Sequence, residues 1–230
     1  MSENCAMKIV CFGDSLTCCG GAGGSFCDVL QDRFPTCDFV NAGIDGDTIA
    51  DAVVRLKRDV IDLRPDVTLV EFGANDWWRD ERPVSAWIED MRRILYETTS
   101  CGAAVAILGV FGPCRDATGI VRHKDSGTDE RGRAWFDAKR SLAEEFGCRH
   151  LWNVQESIIH DRSCWIDSNH PNEYGNRYVA DTIEPILVEL TGYDAVPTRK
   201  PEKRSLPVAC NESVAKTFND LANAAQEGVP

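Results

Sequence analysis

Four short stretches carry the residue types that acyl transfer needs: a hydroxyl nucleophile, a base with a partner, and hydrogen-bond donors for a developing negative charge. Gly13-Asp14-Ser15-Leu16 follows the apolar run from Met7 to Phe12. A serine there presents its hydroxyl at a strand end, or it simply caps a helix. Asn41-Ala42-Gly43 follows a second run, where a glycine lets a backbone N–H approach a ligand or merely makes a turn. Gly73-Ala74-Asn75-Asp76 follows a third, and Asn75 is either an oxyanion donor or part of an Asx turn. Asp167-Ser168-Asn169-His170-Pro171 lies near the end of the patterned chain. There an acid three residues before a histidine can hold Nδ1 and leave Nε2 to face a serine, or the stretch is a loop capping the next helix.

The elements that would position these residues alternate. Strand-like runs are Met7 to Phe12, Asp38 to Ala42, Val67 to Phe72, Ala103 to Phe111 and Cys148 to Val154. Helical spacing is read over Ser25 to Phe34, Thr48 to Leu63, Pro83 to Thr99, Glu130 to Phe146 and Pro171 to Leu190. Thr48 or Asp47 can cap the second of these helices, and Pro65 lies past its end. This alternation predicts an α/β fold: a three-layer αβα flavodoxin-like domain around a central five-stranded parallel sheet. Such sheets bind ligands at the carboxyl ends of their strands, where the four stretches fall. The expected domain is residues 1–192. Residues 193–230 read as a linker and C-terminal arm, with a short helix over Ser213 to Ala225. Val214, Phe218 and Leu221 of that helix must bury against something, and a second subunit is the favoured partner. The polar stretch from Gly112 to Thr128 reads as an active-site loop or an insertion.

The net charge of −12 speaks against nucleic acid and anionic membranes as partners. No stretch approaches the ~18 apolar residues of a membrane span. The N-terminus lacks the apolar region of a secretory signal, so a cytoplasmic protein is expected. The 11 cysteines include no CxxC pair, which leaves a zinc ribbon unsupported. Cys18 and Cys19 are adjacent beside the first stretch. The Gly20 to Gly24 segment lacks the Gly-Lys-Ser/Thr ending of a phosphate loop. His160 is flanked by Asp161, but adjacent side chains rarely orient one another, and His123 and His150 have no comparable context.

Taken together, the four stretches resemble the SGNH hydrolases, also called the GDSL esterase/lipase family. The resemblance runs from Met7 to about Leu190 and continues through Asn172, Gly175 and Asn176. It implies Ser15 as nucleophile, His170 as base and Asp167 as its orienting acid. It implies an oxyanion hole from the backbone N–H groups of Ser15 and Gly43 and the Asn75 amide, with no metal or other cofactor. Asp14, Trp77 and Trp78 are candidate substrate-binding residues; the two tryptophans would form a sugar-stacking or acyl-binding wall, or pack in the core. The expected activity is serine-dependent hydrolysis of a small-molecule carboxylic ester with a short acyl group, O-acetylated carbohydrates among them. Thioesterase, lysophospholipase or acyltransferase activity on the same fold is the alternative, and a binding module without catalysis is disfavoured by the intact residue set.

Overall fold

The computed structural model describes residues 6–20, 24–79, 81–110, 114–115, 121–122, 130–159, 161–167 and 169–197. The expected arm helix, His123 and His160 lie outside them, as do most of the Gly112 to Thr128 stretch and of the arm itself.

The chain runs β1 (Met7–Gly13), α1 (Ser15–Cys18), α2 (Phe26–Arg33), β2 (Cys37–Gly43), α3 (Ile49–Asp59), β3 (Val67–Glu71), α4 (Ala74–Arg79), α5 (Val84–Ser100) and β4 (Ala104–Leu108). It continues with β5 (Cys114–Arg115), β6 (Val121–Arg122), α6 (Glu130–Phe146), β7 (Arg149–Leu151) and α7 (Glu173–Thr191). Five strands form one parallel sheet in the order β2-β1-β3-β4-β7. That is the flavodoxin-like order, with its switch point between β1 and β3. β5 and β6 pair separately as a two-stranded antiparallel unit.

Strand period two divides the core. Ile9 and Cys11 of β1 face one side and pack with Phe26, Leu30, Val179, Ile183 and Leu187 of α2 and α7. Val10 and Phe12 face the other side and pack with residues of α3, α5 and α6, among them Leu56, Met91 and Leu142. All four β1 side chains are fully buried, as a strand covered on both faces requires.

Local signals fix several boundaries. Ser25 and Thr48 each accept from the backbone N–H three residues on, and Asp28 and Asp51 bond back, so α2 and α3 begin with complete capping boxes. The helix expected from Thr48 to Leu63 is interrupted. α3 ends at Asp59, one 3₁₀ turn covers Ile61–Leu63, and Arg64 adopts the left-handed region at φ 52°. Pro65 accounts for the departure at Arg64, because a proline bars its predecessor from the right-handed helical region. The last strand covers only Arg149–Leu151. α4 forms where the sequence reads locally as a turn, its six residues being too few for a period. No helix among the described residues is long and apolar enough to cross a membrane.

Candidate active site

β1 ends at Gly13, and Asp14 caps α1 by accepting from the Leu16 N–H at 2.9 Å. Ser15 is therefore the first residue of a short helix directly above the sheet edge. α7 begins after Asn172, whose side chain accepts from Gly175 N–H at 3.0 Å and donates to Ser163 O at 2.8 Å. This fixes the loop from Asp167 to Pro171 beside α1. His170 Nε2 then lies 3.0 Å from Ser15 Oγ, and Nδ1 lies 2.8 Å from Asp167 Oδ2. Asp167 Oδ1 accepts the backbone N–H groups of Asn169 and His170 at 2.8 and 2.9 Å, so the carboxylate is itself oriented. Two further asparagines latch the loops together. Asn41 Nδ2 donates to Thr17 O and Ser25 Oγ, and Asn176 Nδ2 donates to Cys19 O.

The charges suit a proton relay. Burial alone would push the His170 imidazole down, but the hydrogen bond and charge of Asp167, with Asp45 and Asp14 nearby, hold its pKa above the ordinary value. Burial would raise Asp167, yet His170 and the two backbone donors keep it below its usual range. His150 sits in β7 near the Phe136 ring, and burial lowers its pKa to about 4.

Behind Ser15 lies a buried ionisable group that the sequence reading did not identify. Asp14 and Glu71 are 0% and 1% exposed, and Lys139 of α6 is 2% exposed. Burial and the neighbouring Glu71 raise Asp14 well above the usual carboxylate range. Burial raises Glu71 as well, so both carboxyls resist ionisation beside one another. Thr17 Oγ1 donates to Glu71 Oε2 at 3.2 Å, and Lys139 contributes the compensating charge although burial lowers its pKa. The clue in the sequence is a carboxylate inside the strand-like run Val67 to Phe72.

Three expected assignments change. Asp14 is not a substrate-binding residue: it has no exposed surface, and it serves as helix cap and as acceptor for Asn75 Nδ2 at 3.1 Å. Gly43 is not placed as an oxyanion donor, because its N–H already donates to Asn41 Oδ1 at 3.0 Å. Its lack of a side chain serves packing instead, since a Cβ would sit 2.6 Å from Cys18 N and 2.9 Å from Asp14 O. Gly46, three residues on, occupies the left-handed region at φ 77°. It is flanked by Asp45, whose charge reaches His170, and by Asp47, whose carbonyl accepts Asn75 Nδ2 at 3.0 Å. The two tryptophans separate: Trp77 is half-buried against the α3–α5–α6 core, and Trp78 is 52% exposed. Asp76 anchors α4 by accepting from Ile49 N–H at 3.0 Å.

A curated acetylxylan esterase from Geobacillus stearothermophilus is 36% identical over 89 residues. That match covers 31% of this chain and 41% of the relative, well short of the relative's whole length. Among solved structures, that of TesA superposes with TM-score 0.67 at 21% identity, covering 80% of this chain and 99% of the other. The psychrotrophic esterase EstA from Pseudoalteromonas sp. superposes with TM-score 0.66 at 20% identity, covering 81% and 99%. At these identities the two structures speak to the fold alone. The family described as GDSL-like Lipase/Acylhydrolase matches residues 11–178, which takes in every loop described above, and the chain belongs to that family.

Proposed function

We propose that this chain is a serine-dependent carboxylic ester hydrolase working through Ser15, His170 and Asp167. The observation that carries this reading is the pair of contacts made by one imidazole, 3.0 Å to Ser15 Oγ and 2.8 Å to Asp167. His170 Nε2 takes the Ser15 proton as Oγ bonds to the carbonyl carbon. It returns that proton to the leaving alcohol as the ester C–O bond breaks. Water then attacks the acyl-enzyme with the same base, releasing the acid and restoring Ser15. Asp167 fixes the tautomer and stabilises the imidazolium.

Three donors suit the oxyanion. The N–H groups of Ser15 and Gly46 donate to nothing among the described residues. Asn75 Nδ2 is shared between Asp14 and Asp47 O and would release one of them to the substrate. Each such donor is worth roughly 3–4 kcal/mol in the transition state.

The preferred substrate is a short-acyl ester, with O-acetylated carbohydrate the leading class. The acetylxylan esterase relative and the exposed Trp78, a flat surface on which a sugar can stack, support this. Residues 1–192 would be the catalytic domain, and 193–230 an arm outside the reaction. A fluorophosphonate probe tests the mechanism and should label Ser15 in the wild type but leave Ser15→Ala unlabelled. In a p-nitrophenyl ester series, acetate and butyrate should turn over faster than dodecanoate. Labelling at another serine, or rates rising with chain length, would overturn the corresponding half of the proposal.

A further inference from the structure

Cys19, Asp45 and His170 come from three separate segments: the end of α1, the β2–α3 connection and the loop before α7. Cys19 Sγ, a carboxylate oxygen of Asp45 and a ring nitrogen of His170 nevertheless all lie within 4.8 Å of one another. We propose that these three side chains form an inhibitory site for a zinc-type divalent cation, which closes the active site by taking the His170 nitrogen that faces Ser15.

The donor set selects the metal. A thiolate, an imidazole and a carboxylate suit zinc, whereas calcium and magnesium call for all-oxygen shells. Neighbouring ligands of tetrahedral zinc lie about 3.5 Å apart, given bonds of about 2.0–2.3 Å. The cluster must therefore contract by about 1 Å. Asp45 is exposed and Cys19 half-exposed, so side-chain rotation can supply that movement. His170 is already prepared as a ligand. Asp167 holds Nδ1 at 2.8 Å, which presents Nε2 outward in the carboxylate–histidine–metal arrangement.

The local field points the same way. Asp167, Asp45 and Asp14 act on His170; the Cys18 hydrogen bond, burial, Asp45 and Asp167 push the Cys19 thiol up, a cost that a coordinated cation offsets by holding the thiolate. None of these side chains is a cation, and Asp45 forms no ion pair among the described residues. On binding, the Cys19 thiol loses its proton to solvent and a sulfur–metal bond forms, with no change of oxidation state. Water or Ser15 Oγ would fill the fourth position. With Nε2 on the metal, the imidazole can no longer accept the serine proton.

The inhibition rests on the proposed role of His170, whereas the binding does not, so the two are read separately. Metal-free full-length protein is titrated with Co²⁺, following the thiolate-to-cobalt absorption in the near ultraviolet. Zn²⁺ inhibition of p-nitrophenyl acetate hydrolysis is measured in parallel and reversed with EDTA. The wild type should develop the thiolate band and lose it to Zn²⁺. Cys19→Ser should remove that band from the difference spectrum and weaken zinc inhibition roughly tenfold or more, with zinc-free turnover unchanged. Asp45→Asn should weaken inhibition in the same direction, and Cys18→Ser should leave it unaltered. Zinc inhibition of equal strength in Cys19→Ser, or cobalt bound without the Cys19-dependent band, would overturn the site. A band that forms in a protein without esterase turnover would leave the site standing and overturn the catalytic reading.

Discussion

Replacing Arg55 with methionine should cost both stability and turnover, because this one guanidinium joins the strand ends beneath the site. Nε donates to Asp47 Oδ2 at 2.6 Å, Nη1 to Ala42 O at 2.7 Å and Asp59 Oδ2 at 3.1 Å, and Nη2 to Gly13 O at 2.8 Å. The guanidinium also lies 4.5 Å from the Phe12 ring centre, and the side chain is 7% exposed. Methionine keeps the apolar stem and removes the fork. Breaking a buried ion pair by deleting one partner costs about 3–5 kcal/mol. Two features keep the loss from being larger: Gly13 O still receives the Ile44 N–H, and Asp59 still receives Arg58. Asp47 loses its cation and Ala42 O loses a donor. The net expectation is about 3–4 kcal/mol, or roughly 6–16 °C in Tm for a chain of this size. Urea unfolding should show a lower midpoint with an unchanged slope. Turnover measured in the cold, where the variant stays folded, should also fall, because Asp47 O holds the Asn75 amide. Arg55→Lys should fall between, since an ammonium cannot reproduce the four-acceptor fork. A stability loss below about 1 kcal/mol, the range of a surface pair, would refute this account of Arg55.

In the proposed mechanism neutral imidazole is the base, so turnover should rise with pH through the raised His170 pKa. Asp167→Asn removes the charge that offsets burial; the acid limb should then move to lower pH while the plateau falls by roughly 10³–10⁴, and an unmoved limb in the pH–rate profile would refute the pairing. Asn75→Ala should lower kcat by roughly 10²–10³ with little change in KM. It should also cost roughly 1 kcal/mol of stability in urea unfolding, because Asp14 and Asp47 O lose their donor; a change confined to KM would instead mean ground-state binding.

The order of elements and the position of Ser15, Asn75, Asp167 and His170 at loop ends were legible in the sequence. Apolar runs stopped by Gly13, Gly43 and Gly73 mark strand ends by local chemistry alone, and a parallel sheet brings those ends to one edge. Capping at Ser25, Thr48 and Asn172 was equally local. What the sequence could not give depended on which charged groups would be buried and against what. Asp14 sits in a motif that reads as a site residue, yet it faces Glu71, 57 positions away along the chain, with no surface to offer a substrate. Arg55 occupies the buried side of α3 beside Leu56, although residue type alone would place a charged arginine outside. Gly46 is proposed over Gly43 as oxyanion donor because the Gly43 N–H donates to the Asn41 side chain and Gly46 takes a left-handed φ angle. Sequence spacing fixes where a backbone turns. Which N–H group a turn leaves free, and which carboxyls end up buried beside one another, are decided by contacts between segments far apart in the chain, and only the packed sheet brings those together.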